Sequence, residues 1–275
     1  MHDITLFNQN GFVVKKKLFT RQEIEKLKQQ IDSDQDKISA ARETQSSTGK
    51  LSLTLWNHPS DDLYSKFSTN ERIVKPMQEF LKDEVYHYHS KIVWKKPGEG
   101  GFDWHQDYGY WYHNACLFPD MGSCFIMIDK STKENGCLQV LKGSHHLGRI
   151  DHTLTGDQAG ADQERIDVAL ECFDRIHVEL EPGDALIFHC NLLHRSDQNL
   201  STKPRWAMIC CYNAARNNPY KESPHPKYTP LIKVPDSSIK EVGIRRFAES
   251  GDVGLMEKNQ GRNIQKSIDV KQVNV

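Results

Sequence analysis

The sequence predicts a mainly β protein, a double-sheet jelly roll preceded by helices. Three observations carry this expectation. The N-terminal part has helical periodicity. From Glu84 onward the pattern changes to short runs rich in β-branched and aromatic residues. Those runs are separated by Gly, Pro and Asn signals.

The elements follow in chain order. "FNQNGFVVKKKLFTRQEIEKLKQQIDSD" reads as a short strand and then a helix. Thr20 is placed as an N-cap, and Glu23 three residues on completes a capping box. Ile24, Leu27 and Ile31 recur at helical spacing and give one apolar face. Residues 61–81 are expected to hold more helix, with Pro76 starting a turn of it. "EVYHYHSKIVWKK" is the first long strand. "SCFIMIDKS" and "GCLQVLKGSH" follow, joined by a turn at Asn135-Gly136. "RIHVELEPGDALIFHC" and "RWAMICCYNAA" complete the set. Residues 1–250 are expected to form one domain, and residues 251–275 a polar, flexible tail.

Composition excludes several classes. The chain has 275 residues, enough for a sizeable core. Its 36 basic and 37 acidic side chains leave a formal net charge of −1, so no global field draws it to nucleic acid or an anionic membrane. No apolar run reaches the length of a membrane span, and the N-terminus lacks the features of a secretory signal. Seven cysteines, an odd number without zinc-knuckle spacing, read as reduced thiols in the cytoplasm.

The chemistry concentrates at "FDWHQDYGYWY". If this stretch is a strand, His105 and Asp107 point to one face and Gln106 away from it. An imidazole and a carboxylate suit Fe(II), Mn(II) or zinc. His194, after the buried strand "ALIF" and a bend, is the favoured third ligand. Two histidines and one carboxylate would leave half of the coordination shell open, unlike a closed structural zinc site. His189, His145, His146 and the pair His87/His89 are rivals among 13 histidines, and spacing alone does not choose. Arg205 begins an otherwise apolar strand whose same-face successors, Ala207, Ile209 and Cys211, cannot neutralise it. A bound carboxylate would be a natural counterion, gripped by the planar guanidinium, with Ser196 as a further donor. An ordinary salt bridge to an acidic side chain is the plain alternative.

Taken in order, "NGF…LFTRQEIEKL", "KPGEGGFDWHQD", "TKENGCLQVLKGSHHLG", "LEPGDALIFHCNLLHRS" and Arg205 resemble the phytanoyl-CoA dioxygenase family of iron(II)- and 2-oxoglutarate-dependent oxygenases. That family also contains the ectoine hydroxylases. The resemblance runs from about Phe7 to about Asn213. It implies a double-stranded β-helix, a jelly-roll barrel with iron at its mouth. It implies His105, Asp107 and His194 as Fe(II) ligands, and Arg205 with Ser196 holding the distal carboxylate of 2-oxoglutarate. Phe125 would wall the cosubstrate, and Lys91 falls near a cosubstrate contact. The implied reaction uses O2, releases succinate and carbon dioxide, and hydroxylates a C–H bond of a small molecule. Asp107 argues against halogenation, because related halogenases carry a small residue there.

The substrate is less legible. Trp111 matches a tryptophan that contacts substrate in the ectoine hydroxylases. Their signature continues with a histidine and a Gly-Met-Pro turn, whereas here Tyr112-His113-Asn114 follows. Packing in the core is the bland alternative for these aromatics. Lys15-Lys16-Lys17 and Lys95-Lys96 could form a basic rim for an acyl-CoA, although lysine runs are usually solvated surface. "LKGSHHLGRIDH" is expected at the mouth, with a bend at Gly143, and residues 151–175 as a lid. Two competing functions stand beside the oxygenase. One is a jelly-roll binding protein that keeps the triad and catalyses nothing; the other is a zinc hydrolase. A mere metal binder has no need of the carboxylate clamp at Arg205 and Ser196.

Overall fold

A helix opens the chain, ahead of the short strand and helix that the sequence predicts. The protein is described by a computed structural model covering residues 2–34, 42–155 and 158–244. Helix α1 (His2–Asn10) leads into strand β1 (Phe12–Lys15) and helix α2 (Arg21–Ser33). Thr20 caps α2, and Glu23 closes the capping box as expected. Ile24, Leu27 and Ile31 are buried along its inner face. After strands β2 (Arg42–Ser46) and β3 (Gly49–Trp56) come helices α3 (Leu63–Ser68) and α4 (Glu71–Leu81). Pro76 lies inside α4 rather than starting a turn. Its ring removes one backbone donor there, and packing of Ile73, Val74, Met77 and Phe80 outweighs that loss. Each such buried side chain contributes about 1.5–3 kcal/mol.

The β region begins with β4 (Val85–Lys95). A one-turn helix α5 (Asp107–Trp111) is followed by β5 (Met121–Met127) and β6 (Leu138–Leu141). A hairpin of β7 (His152–Thr155) and β8 (Gln158–Ala161) precedes helix α6 (Gln163–Cys172). Strands β9 (Arg175–Val178), β10 (Ala185–His189), β11 (His194–Ser196) and β12 (Arg205–Ala214) complete the sheets, and a short helix α7 (Ser237–Glu241) follows.

The main sheet has the order β1-β10-β5-β12-β4-β3-β2, and its pairings are antiparallel. A second sheet, β11-β6-β9, faces it. Side chains from both sheets, including Val93, Phe125, Met127, Leu138, Val140 and Val178, share one interior core. The outer face of the main sheet packs against the helices through a second core with Ile24, Leu27, Phe67, Ile73 and Met77. This is the predicted jelly roll. The turn at Gly136 is present, with φ of 71°, but β5 and β6 lie in different sheets. It therefore carries the chain across the barrel instead of closing a hairpin.

Residues 151–175, expected as a lid and lacking a clear strand pattern, contain the β7–β8 hairpin and α6. Trp104, Leu141, Ile150, Ile166, Ala169 and Leu193 form a small third core beneath them. The short period-two run at β7 and β8 is hidden among polar residues, so sequence pattern alone missed it. The polar tail after residue 250 lies outside the described residues. Among the described residues no helix is long and apolar enough to cross a membrane. All seven cysteines are free thiols.

Candidate active site

The metal loop is stitched onto β11 by its backbone. Gly101 presses so closely that a Cβ there would sit 1.7 Å from the Ser196 carbonyl oxygen. Phe102 then accepts a hydrogen bond from the Ser196 N–H at 3.0 Å, and His105 and His194 exchange two backbone bonds of 3.0 Å. This antiparallel bridge sets the two imidazoles side by side, with ring centroids 4.1 Å apart. The expected strand through His105 and Asp107 is absent. His105 forms a single bridge, and the chain then turns into α5 with Asp107 as its first residue. A helical turn places the Asp107 carboxylate beside the imidazoles as effectively as strand alternation would.

Backbone carbonyls fix both imidazoles. Nδ1 of His105 lies 2.7 Å from the Asp103 oxygen, and Nδ1 of His194 2.9 Å from the Leu192 oxygen. A carbonyl can only accept, so each Nδ1 donates and each Nε2 keeps its lone pair. The two Nε2 atoms lie 4.0 and 3.9 Å from Oδ1 of Asp107. These two separations fall within the span of about 4.2 Å open to two ligands each about 2.1 Å from one shared ion, and all three donors lie within 4.8 Å of one another. Among the described residues no fourth His, Cys, Asp or Glu joins the group, so one side of the shell is left to small molecules. Burial pushes His105 well below the usual histidine range, and the adjacent His194 adds to this. Burial also lowers His194, against the pull of Asp107. Both imidazoles are neutral at pH 7, as metal ligation requires.

The rival histidines lie outside the triad. His87 is bonded to the Asn57 carbonyl at 3.0 Å and to Ser90 Oγ at 2.7 Å. His189 accepts from the Asn191 N–H, and His145 packs on His146 and bonds the Asn8 carbonyl. His89 packs beside Trp111 and His225, away from the triad.

A narrow pocket runs from the triad into the barrel. Lys91, Lys95, Phe102, Phe125, Ser196 and Arg205 are among its lining residues. Arg205 is 3% exposed, and its Nε and Nη1 have no hydrogen-bond partner among the described residues. Burial lowers its pKa to about 10, which still leaves it charged. Phe125 and Lys91 both face Ile209 on the neighbouring strand, one from each side. Lys91 also lies over the Phe102 ring, 5.7 Å from its centroid. Trp111 is on the buried face of α5, not on a strand. It meets Tyr88 and His89 nearly edge-on, with centroids 5.4 and 5.8 Å away, and is not among the pocket-lining residues.

Three residues escaped the sequence reading. Ser123 donates to Oδ2 of Asp107 at 2.8 Å and so orients the carboxylate. Strand alternation from Phe125 would have found it. Gln106, read only as facing away from the candidate ligands, bonds the Gly148 and Asn191 carbonyls and the Ile150 N–H. Lys95, counted with the surface rim, is fully buried, whereas Lys96 is exposed. Alternation along β4 puts Lys91, Val93 and Lys95 on one inner face.

The family model for phytanoyl-CoA dioxygenase (PhyH) matches residues 7–207. The chain belongs to the phytanoyl-CoA dioxygenase family. L-proline trans-4-hydroxylase of Streptomyces griseoviridis is 29% identical over 198 residues, covering 66% of this chain and 72% of that protein. Ectoine dioxygenase of Sphingopyxis alaskensis is 26% identical over 247 residues, covering 80% and 79%. The crystal structure of apo EctD from S. alaskensis shares the fold, with a TM-score of 0.73 at 22% identity over 85% of this chain and 86% of that one. Other structures of that family relative hold iron, or 2-oxoglutarate with 5-hydroxyectoine. Against this family's requirements, the triad of neutral imidazoles and carboxylate fits iron. The unpartnered guanidinium of Arg205 fits a carboxylate.

Proposed function

We propose that this chain is an Fe(II)- and 2-oxoglutarate-dependent dioxygenase that hydroxylates a C–H bond of a small molecule and releases succinate and carbon dioxide. The carrying observation is a half-open His-Asp-His group and a buried, unpartnered arginine lining one pocket. His105, Asp107 and His194 would hold the iron. Arg205 and Ser196 would hold the distal carboxylate of 2-oxoglutarate, Phe125 would wall it, and Lys91 would face its metal-binding end. Bound iron with 2-oxoglutarate supplies the oxygen-activating chemistry. The protein positions the substrate and excludes water, and the buried triad and apolar pocket walls suit both tasks.

Relatives carry names referring to L-proline, ectoine, phytanoyl-CoA and hypophosphite. Substrate choice in this chain is therefore assigned to residues outside the triad and clamp. Trp111 and the segment from β7 to α6 are the candidates. Seven free thiols support a reducing, cytoplasmic setting.

The test is succinate release by the iron-loaded protein with 2-oxoglutarate, with and without oxygen. Oxygen-dependent release that rises with a metabolite supports the proposal. A non-catalytic binding protein gives none, and a zinc hydrolase acts without oxygen.

A further inference from the structure

The backbone around His105 is held from two sides. Toward β11, its own N–H and carbonyl exchange bonds of 3.0 Å with the backbone of His194. The flanking groups turn the other way, toward the β7–β8 hairpin, as alternation along an extended chain requires. The Trp104 carbonyl accepts from the Ala161 N–H of β8 at 2.8 Å. The Gln106 N–H donates to Nε2 of His152, on β7, at 2.9 Å. Three of these four bonds run from backbone to backbone and carry no side-chain information. The fourth ends on a side chain: His152 stands where a neighbouring strand would offer a carbonyl.

The surroundings fix that side chain in the accepting state. Nδ1 of His152 lies 2.9 Å from the Ile150 carbonyl, which can only accept, so Nδ1 carries the proton and Nε2 presents a lone pair. The buried ring fits against α5 at Gly109, where a Cβ would stand 2.2 Å from two of its atoms. Tyr110 lies between the two imidazoles, its ring centroid 6.3 Å from that of His105 and 6.1 Å from that of His152. Gln106 is itself buried and precedes the first turn of α5, where no helical carbonyl serves its N–H. Loss of His152 would leave that N–H without its partner, at a cost of about 1–3 kcal/mol unless the loop moves. The peptide unit concerned also bears the His105 carbonyl, so its plane sets how His105 and Asp107 stand to each other.

We infer that His152 is a positioning residue for the metal site: by accepting from the Gln106 N–H it fixes the peptide plane that follows His105, and with it the approach of the His105 and Asp107 ligand atoms. This deepens the metal reading above and rests on it. It makes the β7–β8 hairpin a support of the triad as well as a part of the mouth.

Cobalt(II) is the probe, because it takes the same nitrogen and oxygen donors as iron(II) and its visible absorption reports ligand geometry. Its affinity is measured by competition with a chelator, with no other ligand present. Wild type, His105→Ala, His152→Leu, His152→Phe and His152→Gln are compared, with folding checked by thermal melting. The two apolar variants differ in bulk, so the test does not rest on one of them folding. The glutamine can bring its Oε1 near the place of Nε2 and accept from the Gln106 N–H. The apolar variants are expected to weaken cobalt(II) binding about 10–100-fold, the range for residues that orient metal ligands, and to alter its absorption. His152→Gln stays within about tenfold of wild type and keeps the wild-type absorption. A folded apolar variant with wild-type affinity and absorption overturns the role of His152. So does a folded His152→Gln weakened more than about tenfold. A wild type that binds cobalt(II) no better than His105→Ala overturns the metal reading itself.

Discussion

Replacing Arg205 with methionine tests the cosubstrate site most directly. The guanidinium is 3% exposed and lacks partners at Nε and Nη1. Its strand successors Ala207, Ile209 and Cys211 are apolar and buried. Hydrogen bonds to charged groups contribute about 1.5–3 kcal/mol each, and truncating one partner of a buried charge pair costs about 2–5 kcal/mol. A loss of about 3 kcal/mol raises the Kd for 2-oxoglutarate roughly 150-fold. The triad is untouched, so kcat at saturating cosubstrate falls far less than the affinity. Without ligand the melting temperature stays level or rises, because an uncompensated buried charge has been exchanged for an apolar side chain. The assay is anaerobic calorimetry with iron-loaded protein, beside thermal melting of the ligand-free form. A Kd within about twofold of wild type, with a lower melting temperature, would make Arg205 an ordinary structural cation and refute the reasoning.

His105→Ala and Asp107→Ala each abolish oxygen-dependent succinate release while far-ultraviolet circular dichroism is retained; turnover in either variant would remove that residue from the metal set. Ser123→Ala frees Oδ2 of Asp107 and weakens metal affinity about 10–100-fold, read by competition with a chelator. Acid destabilises the fold through buried neutral histidines. Burial pushes His87 and His152 down to about 4, and His189 and His225 to about 3, from an ordinary value of 6.5. The unfolded chain takes up these protons near pH 6.5 and the fold resists them, so stability is full above pH 6.5 and is lost as pH falls toward 4. The slope is about 1.4 kcal/mol per pH unit for each imidazole, roughly 5 kcal/mol for the four. Urea midpoints at pH 7, 6 and 5 check this, and a flat profile contradicts it.

What the sequence revealed, and what it hid, follows from how each signal is encoded. Thr20 and Glu23 were legible because a capping box is local chemistry between residues three apart. The long strands β4 and β12 were legible because interior strands are almost continuously buried. Arg205 was legible as a misfit, one cation opening an apolar run. The backbone at Asp107 was not: five residues cannot display a helical period, and "HQD" between aromatics reads equally as strand. Lys95 was misread because the adjacent Lys96 is exposed, and a lysine pair looks like surface. Alternation from Lys91 places it inside, but only once the strand is known to continue to Lys95. What brings His105 and His194 together is non-local pairing, the bridge between them, which spacing along the chain does not display.

The two ends of the pocket are built from different material, which bears on how substrates could vary. The end proposed for the cosubstrate stands on β4 and β12, adjacent strands in the interior of the seven-stranded sheet, where backbone pairing fixes Arg205. The triad stands where loops enter short elements, with Asp107 at the start of α5 and His194 at the start of β11. Gln106 ties them together: its side chain bonds the Gly148 and Asn191 carbonyls and the Ile150 N–H, and its backbone N–H donates to Nε2 of His152 at 2.9 Å. His152 opens the β7–β8 hairpin and lies against Gly109 of α5, where a Cβ would meet its ring at 2.2 Å. The segment proposed for substrate selection is thus bonded to the residue between two of the proposed metal ligands. Sequence change within the hairpin can reshape the mouth while the sheet holds the clamp unchanged. Change that reaches His152 or Gln106 would also shift His105 and Asp107, so substitutions that alter substrate choice without loss of activity are expected at hairpin positions that leave this network intact.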